Sequence, residues 1–395
     1  MATTEPWSKK HKELTRAASG GLPFKLSNSF AEPLSMRELI DWSIARGDRD
    51  IVDEYMNHSL KYTPNGGSAD LRREIAKLYV TDSITEDNIV VFAGAQVAIQ
   101  TAAFSICDST SHAIVFLPGY QSLVEGPVHA RSEVTQIKLK FENKWAVDIS
   151  EVEAAIKPNT RYIVMNQPQN PTGILMSEDD QKRLRDLAAA NDIYVLSDEV
   201  YRLLEHDPSH RLPAICEVYN KGISIVALSK PWGGCGVTIG WAAMQDPSMR
   251  QKMIDVAYFG TACPSRGSEI QAIMTLRSSD AILARNIDII LRNKALLTRF
   301  VEQTHSDMFE WAPPTAGAIA FLRFKGDLTT AQLGESLAEK GIGIKPAYCF
   351  APAKHIDRSN DFFRVGFGES KFPRALDALR EWAEEYRASN AIQQS

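Results

Sequence analysis

Two ionisable residues stand where apolar runs end. The run Ile193-Tyr194-Val195-Leu196 leads into Ser197-Asp198-Glu199-Val200-Tyr201, and the run Ile223 to Leu228 leads into Ser229-Lys230-Pro231-Trp232. A carboxylate or an ammonium at the end of a buried strand is costly unless something compensates it. A protonated ring nitrogen is a fitting partner for Asp198. Schiff-base formation with a carbonyl would remove the charge on Lys230 and exploit the readily shifted pKa of lysine. Three other apolar runs also end in suggestive residues. Ile89 to Phe92 precedes Gly94-Ala95-Gln96, which opens a helix predicted over Val97 to Ile106. Small residues at a helix N-terminus let backbone N–H groups and the helix dipole meet a phosphate. Ala113 to Leu117 precedes Pro118-Gly119-Tyr120, whose aromatic ring either joins the core or stacks on a planar ligand. Tyr162 to Met165 precedes Asn166-Gln167-Pro168-Gln169-Asn170-Pro171-Thr172-Gly173, a proline-stiffened loop that presents the Asn170 amide. Each feature alone is compatible with an ordinary turn. Their succession at five strand ends is informative, because parallel α/β sheets bind ligands at the carboxyl ends of their strands.

The elements that must position these residues follow from the same pattern. Short β-branched runs alternate with amphipathic segments such as Ser177 to Asn191 between about Asn88 and Ile239. That alternation predicts an α/β unit with a largely parallel sheet covered on both faces. The remainder reads as a smaller α+β unit. It has a long helix over Asp280 to Thr304, strands at Ala318 to Leu322, Gly343 to Lys345 and Phe362 to Val365, a helix near Thr329 to Lys340 and a final helix to Tyr386. The N-terminal segment is expected to pack with it. The predicted division is a large domain over 46–284 and a small domain from 1–45 and 285–395.

Composition narrows the function classes. A chain of 395 residues suits two domains. Its net charge of −5, with no long basic tract, disfavours nucleic-acid binding. No apolar run is long enough to cross a bilayer, and Met1 to Arg16 lacks the pattern of a signal peptide. Five scattered cysteines without a CxxC pair read as reduced thiols, hence a cytoplasmic protein. The histidines lack metal-ligand spacing, so no metal is expected. Gly233 to Gly240 does not fit the dinucleotide register and follows the last strand rather than the first.

With these motifs in this order, the chain resembles the aspartate aminotransferase family, the class I/II, fold type I pyridoxal phosphate enzymes. The resemblance runs from Lys61-Tyr62-Thr63-Pro64-Asn65-Gly66 to Phe363-Arg364-Val365-Gly366-Phe367-Gly368. It implies a mostly parallel seven-stranded sheet, pyridoxal 5'-phosphate as cofactor, and a homodimer with shared active sites. It further implies that Lys230 binds the cofactor and shuttles the proton at the substrate α-carbon, and that Asp198 keeps the ring nitrogen protonated. Tyr120 resembles the ring stacker, so that Lys230, Asp198 and Tyr120 form the catalytic set. Asn170 and Tyr201 resemble the donors to the phenolic oxygen. Gly94, Ala95, Gln96 and Ser229 resemble phosphate ligands, and Tyr62 the tyrosine that reaches the other subunit's phosphate. Arg364 resembles the fork for the substrate α-carboxylate, with Asn170 beside it. The activity implied is transfer of an amino group from an amino acid to a 2-oxo acid. Elimination (including carbon–sulfur cleavage), cyclisation and oxidation on the same scaffold are the alternatives. A non-catalytic ligand sensor is a further alternative, disfavoured by the retained Lys230 and the lack of a spare helix-turn-helix segment.

Two stretches depart from that pattern. Thr238 stands where most relatives carry a phosphate-binding arginine, eight positions after the lysine. The loop Thr261 to Ser268 is a candidate source of a substitute cation. Either Arg266 reaches the other subunit's phosphate from there, or it pairs with Glu269 or lies in solvent. The stretch Leu26 to Leu34 is similar to a subgroup that includes arginine-processing oxidases and cyclases; Glu32 either meets a cationic side chain, serves structure or is a solvated surface acid.

Overall fold

The computed structural model describes residues 21–352 and 361–393. The central sheet contains seven strands: β2 (Ile89–Phe92), β3 (His112–Leu117), β4 (Glu133–Lys138), β5 (Thr160–Asn166), β6 (Tyr194–Asp198), β7 (Gly222–Ala227) and β8 (Gly240–Met244). Their spatial order is β2-β8-β7-β6-β5-β3-β4, and β8 alone runs antiparallel to its neighbours. Alternate residues feed two cores, as the two-residue period of a strand requires. Ile114, Ile163 and Val195 pack on one face, whereas Val115, Val164 and Leu196 pack on the other. This double burial explains the near-continuous apolar runs of β3, β5 and β7.

A second sheet has the order β12-β13-β10-β9, all antiparallel, from β9 (Phe309–Trp311), β10 (Ile319–Phe324), β12 (Lys345–Pro346) and β13 (Phe362–Gly366). The C-terminal helix Phe372–Gln393 packs on it through Leu376, Leu379 and Trp382. The N-terminal strand β1 (Phe24–Lys25) pairs in parallel with β11 (Ile342–Gly343), and Leu26 and Ala31 join this core. Phe24, Leu26 and Ala31 of the N-terminal segment thus pack with this unit, whereas Leu34 packs with the core beside the central sheet, and residues 1–20 lie outside the described residues. Helix Met36–Ala45, in contrast, packs its Leu39 with Leu71, Trp232 and Ile270 on the side of the central sheet.

The long helix spans Ser279–Arg299 and ends in a wider turn at Phe300–Thr304. Two central strands lack the β-branched runs that mark the others. β4 reads Glu-Val-Thr-Gln-Ile-Lys because it is an edge strand with one wetted face. β8 reads Gly-Trp-Ala-Ala-Met because Gly240 must lie against the loop after β2, where a Cβ would fall 2.6 Å from the Ala95 nitrogen.

Candidate active site

Several residues that follow the strand ends lie close together. After β2, Gly94 adopts φ +93° and precedes the helix Ala95–Ile106, which starts slightly earlier than predicted. A side chain at Gly94 would meet nothing within 4 Å, so the N-terminus of this helix faces open space. After β3, the partly buried Tyr120 accepts a hydrogen bond at its hydroxyl from Gln96. After β5, Asn166 braces two neighbours: its Oδ1 accepts from the Asn170 N–H at 2.7 Å and its Nδ2 donates to the Asp198 carbonyl at 2.7 Å.

Asp198 closes β6 with 2% of its surface exposed. Its Oδ1 accepts a long 3.3 Å bond from the Val200 N–H. Burial pushes its carboxyl up to about 7, against the pull of that bond and of Lys230. Lys230, after β7, donates from Nζ to the Ser29 hydroxyl at 3.1 Å. Burial pushes its ammonium below the ordinary lysine value. Each group is thus strained toward its neutral form, as expected of groups waiting for a partner. Ser229 adjoins Lys230 and is partly buried.

Arg364 reaches the same place from β13 of the second sheet. Its Nη1 donates to Asn170 Oδ1 at 3.0 Å and its Nη2 to the Ser27 carbonyl at 2.7 Å. Among the described residues its Nε is buried without a hydrogen-bond partner; the buried Tyr201 hydroxyl has none in good geometry and lies beside the Ser29 side chain. The guanidinium lies 5.3 Å from the Phe350 ring centre. A cleft of about 950 Å³ runs along Ser27, Asn28, Gln96, Tyr120 and Lys345, between residues of the two sheets' units.

Three expected residues make none of these contacts. Tyr62 is 96% exposed, in an irregular segment tied down where the next residue, Thr63, donates to the Pro264 carbonyl at 2.7 Å. Thr238 is exposed in the left-handed region, φ +57°, with its hydroxyl 3.4 Å from the Gly236 carbonyl. Arg266 begins the helix Arg266–Arg277, and its guanidinium is held within its own chain. It contacts Asp70 at 2.6 Å, Glu269 at 3.2 Å, Ser68 at 3.0 Å and also Glu54. Burial raises the Asp70 carboxyl, but Arg266, Ser68 and the Leu71 N–H together more than offset this and hold it at about 2. Of the arrangements weighed for Arg266, the structure has the pairing with Glu269; a guanidinium shared among three carboxylates has little left for a phosphate. Among the described residues the Glu32 carboxylate forms no ion pair but accepts from the Ser370 N–H at 2.5 Å, while Arg285, which donates to the Glu32 carbonyl at 2.6 Å, lies near enough to feel its charge.

Two residues at the site were not assigned from sequence. Ser29 lies within a stretch read only for its resemblance, and nothing in its type signals contact with Lys230. Lys345 carried a signal, a cation closing the apolar strand Gly343 to Lys345, but was read only as structure.

The residues present fit pyridoxal phosphate. The raised Asp198 carboxyl suits a cationic ring nitrogen, the buried Tyr201 hydroxyl suits a phenolate, and the open helix N-terminus at Gly94 suits a phosphate. Among the described residues no acidic, cysteine or histidine group is arranged to hold a metal ion, and no helix is long and apolar enough to cross a membrane.

Comparison with known proteins agrees. The family model for aminotransferase class I and II matches residues 48–379. The chain is 23% identical over 381 residues to the aspartate aminotransferase of Pyrococcus abyssi, covering 91% of this chain and 95% of that protein. It is 27% identical over 236 residues to the probable aspartate aminotransferase of Methanocaldococcus jannaschii, covering 58% of this chain and 61% of that protein. In fold it is similar to a PLP-dependent aminotransferase from Streptococcus suis 89-1591, with a TM-score of 0.87, 24% identity and coverage of 98% and 99% of the two chains. The chain belongs to the class I and II aminotransferases and is a pyridoxal phosphate-dependent enzyme of that kind.

Proposed function

We propose that the enzyme moves an amino group from an amino acid to a 2-oxo acid with the strand-end residues in the following roles. The bound cofactor supplies a carbonyl for the amino group and a ring that draws electrons from the α-carbon. Lys230 holds the cofactor covalently and afterwards carries the proton at the α-carbon, for which a depressed ammonium pKa is an advantage. Asp198 keeps the ring nitrogen protonated. Tyr201 and Asn170 donate to the ring oxygen, and Tyr120 lies against the ring. Gly94, Ala95, Gln96, Ser229 and Thr238 contact the phosphate. Arg364, oriented by Asn170 and the Ser27 carbonyl, binds the substrate carboxylate.

The observation that carries this reading is the meeting of Asp198 and Lys230, both displaced from their ordinary ionisation by burial, with an arginine delivered from the second sheet. The test is nitrogen transfer: purified enzyme with an amino acid and a 2-oxo acid should form the second amino acid only when both are present.

The division into a cofactor-binding unit over 46–284 and a small unit from both chain ends belongs to this proposal, with helix Met36–Ala45 moved to the former by its packing. So does a homodimer in which Tyr62 of one copy reaches the other's phosphate. Leu60, Tyr62 and Phe259 are each more than 90% exposed, an apolar group that a second copy would cover. The five cysteines are unpaired, which suits the cytoplasm.

A further inference from the structure

Residues 26–31 form a strap tied to both parts of the site. Toward the second sheet, the Leu26 carbonyl accepts from the Gly366 N–H at 2.6 Å and the Ser27 carbonyl accepts from Arg364 Nη2 at 2.7 Å. Asn28 Nδ2 donates to the Glu369 carboxylate at 2.6 Å. Toward the central sheet, the Ala31 N–H donates to the Lys230 carbonyl at 3.1 Å. The strap lies so close to the second sheet that neither Gly366 nor Gly368 has room for a Cβ beside the Asn28 and Phe30 carbonyls. Ser29 is therefore fixed from both sides.

Its Oγ accepts from Lys230 Nζ at 3.1 Å, the one hydrogen bond of that amino group among the described residues. The same side chain lies beside the buried Tyr201 hydroxyl. A serine hydroxyl carries one donor hydrogen and two acceptor sites. It can take the lysine N–H and still donate to the Tyr201 oxygen, which leaves the tyrosine's own hydrogen for the cofactor's ring oxygen. The charged or titratable groups facing Lys230 are Tyr120, Asp198, Cys235, Arg364 and Lys345.

On the transfer reading Lys230 serves twice, first as holder of the cofactor and then, released, as carrier of the α-carbon proton. A released lysine has a flexible four-carbon stem, and one fixed acceptor selects among its rotamers. We infer that Ser29 is a positioning residue that takes an N–H of the released Lys230 amino group and fixes where that group stands while it carries the proton. The strap joins this task to substrate binding, because Ser27 orients Arg364 and Ser29, two residues on, orients Lys230. The inference rests on the reading of Lys230 as the proton carrier.

The test removes the hydroxyl alone. In the cofactor-free chain, trace acetylation of Lys230 across a pH series, read by mass spectrometry of its peptide, gives the ionisation midpoint of the amino group. An acceptor favours the ammonium over the neutral amine, so Ser29→Ala should move that midpoint down by about one pH unit. Ser29→Thr, which keeps a hydroxyl, should stay with wild type. In the loaded enzyme, Ser29→Ala should slow exchange of the substrate α-hydrogen with deuterated water roughly 10-fold at saturation. KM should stay close to wild type, because Arg364 keeps its backbone partner at Ser27. An unchanged midpoint in Ser29→Ala overturns the inference. So does an equal fall in Ser29→Thr, which would assign the effect to packing and not to the hydroxyl. A lowered midpoint with unchanged exchange also overturns it, since the contact would then not serve the reaction. Wild type that transfers no nitrogen sinks the transfer reading by itself, and the labelling and exchange still decide the role of Ser29.

Discussion

Replacing Asp198 by Asn keeps the shape of the side chain at the end of β6 and removes its ionisation. In the cofactor-free chain the carboxyl is raised by burial from 3.8 to about 7. The folded protein therefore keeps this proton up to about pH 7, while the unfolded chain releases it near pH 4. Between those values the folded state binds more protons, so its stability falls as pH rises through that window and is level above it. A gap of about three pH units, at about 1.4 kcal/mol each, comes to about 4 kcal/mol. The cofactor-free variant should match wild type near pH 4 and exceed it by about that amount at pH 8. Urea unfolding of both cofactor-free proteins at pH 5, 6, 7 and 8 measures the difference. The cofactor-loaded enzyme should behave oppositely. There the neutral amide of the Asp198→Asn variant cannot hold the ring nitrogen's proton, and α-proton exchange should fall by orders of magnitude. A cofactor-free variant no more stable than wild type at pH 8, or a difference that does not grow between pH 5 and pH 8, would refute the claim that Asp198 is a buried acid awaiting a cation.

Lys230→Ala should abolish turnover and the borohydride-sensitive absorbance band of the purified protein; full turnover in this variant would remove Lys230 from its role. Arg364→Lys keeps a charge but loses the planar fork, so kcat/KM should fall roughly 100-fold with cofactor affinity unchanged; loss of cofactor with normal substrate binding would reassign the residue. Arg266→Ala should lower stability in denaturant by about 3 kcal/mol, because the fully buried Glu269 loses its cation. Its cofactor retention should match wild type, and weakened retention would revive a reach across the dimer to the phosphate.

Much of the site was legible because its residues violate the pattern around them. Asp198 and Lys230 end apolar strands at a cost that only function offsets, and Asn170 sits in a loop stiffened by prolines. Arg364 stands out for the same reason, a charge among Phe362, Phe363 and Val365. β8 was not visible because a strand that must admit Gly240 beside Ala95 gives up the β-branched residues that announce a strand. Arg266 was open to several readings because its partners Asp70 and Glu54 lie some two hundred residues away, and only tertiary contact selects among them. Ser29 could not be found at all: its 3.1 Å contact with Lys230 depends on the path of the N-terminal segment across the second sheet, where Gly366 and Gly368 leave room for the backbone at Asn28 and Phe30.

The central claim is that these residues together move an amino group. Incubating the cofactor-loaded enzyme with a ¹⁵N-labelled amino acid and an unlabelled 2-oxo acid, then following the label by mass spectrometry, tests it directly. The expected result is label in the newly formed amino acid, dependent on the acceptor and absent in Lys230→Ala. Label released as ammonia at the same rate with and without the acceptor would contradict it.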